Sequence, residues 1–235
     1  AIQKIQPSSN ITPVCFLSWE KAAGQITKFN EAHQKGTRRV WDYFTGHGYS
    51  SCILKGDASA AYYPNPLLRN SGDIDIWVKG DRKELFSFLK DNFITRKTTY
   101  VHTELMVKKG FEIEVHYTPS WMNSPFANSR LQKWFRMCME EQMSNYSEEL
   151  GYCVPTLRFN GTYMLLHIYR HLLFEGIGMR QVMDYYFILM KMGEEDREAV
   201  RENIQMLGMQ RFTSALMYVM REVFAMDRGN LLCED

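Results

Sequence analysis

The sequence has no cysteine framework, no long apolar run and almost no net charge. Its five cysteines stand at positions 15, 52, 138, 153 and 233, without a C-x-x-C pair or a zinc spacing. That excludes a disulfide scaffold and a cysteine-based zinc fold, and it fits a reducing, cytoplasmic setting. No apolar stretch approaches the roughly 18 residues of a membrane helix, and no signal-peptide pattern is present, so neither membrane insertion nor secretion is expected. The net charge of +1 gives no bulk electrostatic case for binding nucleic acid. Repeats and low-complexity segments are absent too. What remains is 235 residues, 45% hydrophobic and 23% charged. That is the composition of a globular chain with one sizeable core or two small ones.

The most informative segment is Ser71-Gly72-Asp73-Ile74-Asp75-Ile76-Trp77-Val78. It reads as a strand that opens with two aspartates. Strand side chains alternate, so Asp73 and Asp75 share a face with Cα atoms roughly 6.5–7 Å apart, while Ile74, Ile76 and Val78 face a core. Two neighbouring carboxylates repel unless something positive lies between them. A hard divalent cation is the natural occupant, and Mg²⁺ is usual where phosphates are handled.

Two flanking segments add to this. Upstream, the apolar run Cys52-Ile53-Leu54 leads through Lys55 and Gly56 into a small-residue segment with helical character, 17 residues ahead of Asp73. Strand, glycine and helix start in that order suit an anion, with Asp57 the expected N-cap and Ser59 within the first turn. Downstream, Phe111, Ile113, Val115 and Tyr117 alternate with Glu112, Glu114 and His116. If that strand lies beside the aspartates, it brings a third carboxylate to the same cation. Spacing alone does not choose between Glu114 and Glu112. His116 shares their face, where it either meets substrate, assists proton transfer or makes a structural hydrogen bond.

With these residues in hand, the chain resembles the nucleotidyltransferase superfamily that includes DNA polymerase beta. More narrowly, Leu54-Lys55-Gly56, Tyr62-Tyr63, Arg69, Gly72-Asp73-Ile74-Asp75 and Glu114-Val115-His116 resemble the bacterial group called uncharacterised nucleotidyltransferases. Tyr163 to His167 and Arg180 to Asp184 fit that group as well. The first motif departs from the superfamily, with Asp57 after Gly56 where Gly or Ser is usual. The resemblance implies transfer of a nucleoside monophosphate from an NTP to a hydroxyl-bearing acceptor: a small molecule, a tRNA or a protein. It implies two Mg²⁺ ions, replaceable by Mn²⁺, on Asp73 and Asp75, with Glu114 at the acceptor side and Glu112 as second choice. Lys55 and Arg69 become candidate triphosphate contacts beside Gly56, Asp57 and Ser59. His167 and Asp184 become candidate cleft residues. A catalytically degenerate nucleotide- or partner-binding homologue and a metal-dependent phosphohydrolase stay open as alternatives.

The periodicity implies an α+β chain. Residues 1–14 read as a loose lead-in and 18–46 as helix. A strand over 51–55, a short helix over 57–62, a strand over 73–78 and a helix over 81–92 follow. A hairpin pairs 95–107 with 111–117 around Lys108-Lys109-Gly110. A helix over 125–143 and a loop over 145–156 precede four helices at about 162–175, 179–192, 195–207 and 210–226. The division expected is a catalytic domain over 1–120, with a small mixed sheet of polymerase beta type, and a helical lobe over 121–235. His167 and His171 share a helix face, but Ile168 stands where a zincin has Glu, so zinc is not expected there. Arg180 and Asp184, four apart, read as a helix-surface pair.

Overall fold

The computed structural model describes residues 12–106, 110–174 and 176–234. The long first helix, α1 (Pro13–Gly46), starts five residues before the periodicity suggests. The Thr12 hydroxyl accepts the Cys15 amide at 3.3 Å, and Pro13 at the first helical position is pre-set for the helix. Most of the expected lead-in lies outside the described residues.

A five-stranded mixed sheet follows. Its strands are β1 (Ser51–Ile53), β2 (Ile74–Val78), β3 (Thr95–Thr98), β4 (His102–Leu105) and β5 (Ile113–His116). They lie in the order β1-β2-β5-β4-β3; β2 and β5 run parallel and the other neighbours antiparallel. Between strands come the four-residue α2 (Asp57–Ala60) and α3 (Arg82–Asn92), the latter capped by Asp81 accepting from Lys83 and Glu84. The stretch 95–107, read as one strand, is broken in two. Thr99 takes the amides of Val101 and His102 on its hydroxyl, a side-chain turn that competes with the ladder. The turn expected at Lys108-Lys109 lies outside the described residues. The stretch 145–156 is more than a loop, for β6 (Tyr146–Ser147) and β7 (Tyr152–Cys153) pair there through a turn with Gly151 at φ +80°.

The two faces of the sheet pack on different partners. Ile74, Ile76, Val78 and Val115 meet Phe44 of α1 and Leu85 and Leu89 of α3. Cys52, Leu54 and Trp77 face the helices that follow: α4 (Pro125–Ser144), α5 (Leu157–Phe174), α6 (Met179–Lys191), α7 (Glu194–Leu207) and α8 (Gln210–Phe224). Trp77 is fully buried and stacks on Phe159 with centroids 5.8 Å apart. Burial of such a side chain contributes about 3 kcal/mol, and Trp77→Ala would cost about 3–5 kcal/mol. The expected α+β class, with helices following a mixed sheet, is the architecture observed. Among the described residues no helix is long and apolar enough to cross a membrane.

Candidate active site

Parallel pairing of β2 with β5 sets the site. The register places Asp75 opposite Glu114 and Trp77 opposite His116. On the other side of β5, Glu104 lies opposite Glu114 and His102 opposite His116. Side chains that share a face in one strand thus continue across three. Asp73 sits one residue before β2, and carboxylate oxygens of Asp73, Asp75 and Glu114 fall within 4.8 Å of one another. Glu112, two residues earlier than Glu114, is exposed and pairs with Arg96 at 2.8 Å instead.

Three carboxylates this close need positive charge, and the chain supplies it. The Lys55 ammonium lies 3.1 Å from Asp75 Oδ2 and 3.4 Å from Asp73 Oδ2. Burial alone would lower the Lys55 pKa, but Asp75 and Asp73 outweigh it and hold the group above its ordinary value. His116 Nε2 lies 2.9 Å from Asp75 Oδ1 and 3.4 Å from Glu114 Oε2. Burial again pulls down, while hydrogen bonds to both carboxylates raise His116 to about 9. Glu114 answers in kind: burial raises its pKa, and His116 and Lys55 more than offset that, lowering it to about 2. His102, half-buried and beside His116, is lowered from its ordinary value by that burial and then by the neighbouring imidazole. The donor set suits a hard divalent cation. It is all oxygen, and buried Asp75 Oδ2, though close to Lys55, has no hydrogen-bond partner.

Gly56 lies against this cluster at φ +68°, where a side chain is strained, and an added Cβ would meet the Asp73 carbonyl at 3.5 Å. Gly56, not Asp57, is the N-cap of α2, and four residues are too short to build an anion site from a helix end. Asp57 and Ser59 are buried, and neither lines the cavity at Asp73. Asp57 accepts from Thr37 at 2.6 Å and Ser71 at 3.2 Å, and its Oδ2 lies 2.8 Å from His33 Nδ1.

Arg69 is likewise turned inward. Its guanidinium donates twice to Asp184 on α6, at 2.7 Å each, and Tyr63 donates to the same carboxylate at 2.6 Å. Asp184 therefore pairs with Arg69 rather than Arg180, which donates instead to the Asn70 carbonyl at 2.9 Å. From the other side, Asn30 of α1 donates to the Leu67 and Arg69 carbonyls and accepts from the Ser71 amide, and His33 Nε2 lies 3.0 Å from the Gly72 carbonyl. The segment leading to Asp73 is thus held between α1 and α6. Asn30, His33 and Thr37 were missed in the sequence, yet their signal is there: they continue, at helical spacing, the stripe that begins at Ile26.

A cavity of about 130 Å³ opens at Asp73, between Lys55, Gly56 and Gly72 on one side and His167, Arg180 and Asp184 on the other. Burial, and then the charge of Lys55, push His167 well below its ordinary pKa. A wider cleft of about 570 Å³ adjoins it, sharing Arg69, Arg180 and Gln181, with Tyr63, Met179 and Met183 on its walls. The structure therefore brings Lys55, Gly56, Asp73, Asp75, Glu114, His116, His167 and Asp184 around one end of the sheet. It leaves Asp57, Ser59 and Glu112 outside, with Arg69 engaged as a clamp.

Comparison with known proteins gives a family and a likeness of fold. Residues 2–225 match the family described as uncharacterised nucleotidyltransferase. Among solved structures, an antigenic nucleotidyltransferase-like protein from Paracoccidioides brasiliensis aligns over 79% of this chain and 92% of its own, at 13% identity and a TM-score of 0.42. No curated protein matches the sequence.

Proposed function

The chain belongs to the uncharacterised nucleotidyltransferase family, and from that premise we propose that it moves a nucleoside monophosphate from an NTP to a hydroxyl-bearing acceptor. The observation that carries this is the buried, incompletely bonded Asp75 set in register with Glu114 and flanked by Asp73. Asp73, Asp75 and Glu114 would hold Mg²⁺, with Mn²⁺ as a substitute. Bound there, the cations neutralise the triphosphate and lower the cost of forming an oxygen nucleophile.

The remaining work falls to the chain itself. His116 fixes the Asp75 carboxylate through its Nε2–H. Lys55 lies between the aspartates and the small cavity, so its ammonium can turn from carboxylate to phosphate as the nucleotide arrives. Gly56, with no side chain, lets a phosphate reach the backbone. Arg180 offers a cation at the junction of the two clefts. The wider cleft, part apolar and part cationic, suits the acceptor. Arg69 and Asp184 position the Asp73 segment from behind.

The Lys55 pairing favours a second reading. An ammonium already shared by both aspartates suits a homologue that binds nucleotide or a partner protein without turnover. Calorimetry of Mg²⁺ and each of the four NTPs, with an assay for released pyrophosphate, separates the two. Metal-dependent binding with pyrophosphate release, both lost in Asp75→Asn, supports transfer. Nucleotide binding that ignores the metal and survives Asp75→Asn overturns it.

A further inference from the structure

Beyond the three carboxylates, the same sheet face carries a second convergent set, which shares Glu114 with the first and adds a residue the proposed transfer does not use: His102 on β4, with Glu114 and His116 on β5. One ligand atom from each falls within 4.8 Å of the other two. His102 Nδ1 lies 3.6 Å and His116 Nε2 3.4 Å from the same Glu114 Oε2. A tetrahedral ion with metal–nitrogen bonds of about 2.0–2.1 Å sets neighbouring ligand atoms about 3.3 Å apart. The two measured edges are already close to that.

We infer that His102, Glu114 and His116 form a binding site for a borderline divalent cation of the Zn²⁺ type, distinct in chemistry from the all-oxygen set beside it. Two imidazoles and one carboxylate select Zn²⁺ or Co²⁺ over Mg²⁺, which prefers oxygen. The outer surroundings fit as well. Glu104 Oε1 lies 3.8 Å from His102 Nε2, the nitrogen facing away from Glu114, beyond hydrogen-bond distance but on the side where metal-bound histidines have a carboxylate. His116 Nδ1 and His102 Nε2 are buried without a hydrogen-bond partner, whereas His116 Nε2, the ligand atom, is held 2.9 Å from Asp75 Oδ1, a contact the cation would displace. Three protein ligands leave a coordination position free, and Glu114 and His102, each about one-fifth exposed, open the site to solvent. The cation would take the place of the proton that His116 now shares with Glu114 and Asp75.

The site is tested with Co²⁺, which absorbs strongly in the visible in a four-coordinate site with nitrogen ligands and weakly in a six-coordinate oxygen site. Protein stripped of metal is titrated with Co²⁺, then competed with Zn²⁺, in wild type, His102→Ala and Asp73→Asn, with circular dichroism checking the fold. The intense band is expected in wild type and in Asp73→Asn. It should vanish in His102→Ala, with Zn²⁺ affinity down more than roughly a hundredfold. Should His102→Ala not fold, His102→Gln, closer in volume, decides the matter in the same way. A weak band in wild type, or an intense one that survives loss of His102, overturns the site. Loss of the band in Asp73→Asn alone overturns it too, while leaving the carboxylate reading intact.

Discussion

Two kinds of buried aspartate stand within one molecule. Asp57 and Asp184 are closed: each faces donors on several sides and no oxygen is left over. Asp75 is open, with one oxygen on His116 and the other near Lys55 without a hydrogen bond. A saturated carboxylate ties elements together, here α1 to α2 and the Asp73 segment to α6. An unsaturated one keeps its capacity for something else. The contrast gives a physical criterion for separating structural from reactive acids, where burial alone gives none, since all three are almost wholly inaccessible.

The sharpest way to break the comparison is to remove a closed acid. Asp184→Ala strands the Arg69 guanidinium in the interior, and a loss of about 3–5 kcal/mol is expected in urea unfolding. A change under 1 kcal/mol would show that the clamp is not closed. Asp73→Asn should do the opposite. Its side chain is one-third exposed, so stability should hardly move, while metal-dependent turnover falls about 10²–10³-fold, equivalent to about 2.7–4 kcal/mol. Pyrophosphate release and a melting curve on one preparation check both halves.

The pH dependence sharpens the contrast next. His116 is held at about 9 against an ordinary 6.5, so its contribution in metal-free protein is complete below pH 6.5 and is lost as pH rises through about 9. Glu114, lowered from 4.5 to about 2, contributes above pH 4.5 and loses that as pH falls through about 2. Stability should therefore plateau between those limits and fall on the alkaline side by on the order of 3 kcal/mol. In His116→Gln that alkaline limb should flatten; an unchanged limb would remove His116 as its source. Asp57→Asn comes next, at about 1–3 kcal/mol, because the amide cannot accept all the bonds the carboxylate does. Glu112→Gln closes the series, with under 1 kcal/mol expected in stability and no loss of turnover, as befits an exposed pair with Arg96.

Local pattern carried much of this. The alternation in 73–78 and 111–117 is enough to set Asp73 and Asp75 on one face of their strand and Glu114 on one face of its own; that the two strands lie side by side comes from the structure. Helix positions followed from their stripes to within a few residues, except that α1 begins at Pro13 rather than near 18 and α5 at Leu157 rather than near 162. Contacts across long chain separations were not legible. Nothing near Arg69 announces Asp184, 115 residues away, and nothing near Asp57 announces His33. A strand, glycine and small-residue run looks the same whether the acid after the glycine meets a ligand or a buried hydroxyl. His102 escaped because the strand carrying it was merged with β3, and the turn at Thr99 that separates them is closed by side-chain and backbone bonds that local propensity does not forecast.

The position of β5 also bears on how the chain is made. It is the last strand of the sheet in sequence but lies between β2 and β4, both of which precede it. During synthesis, β1 with β2 and β3 with β4 can each pair early, leaving two unsatisfied strand edges facing a gap. Only when β5 emerges is the gap filled, and it arrives carrying Glu114 and His116. A nascent chain halted before residue 113 would present both edges to its neighbours, a template for aggregation. The strand that completes the reactive face is thus also the one whose arrival shields the protein from self-association.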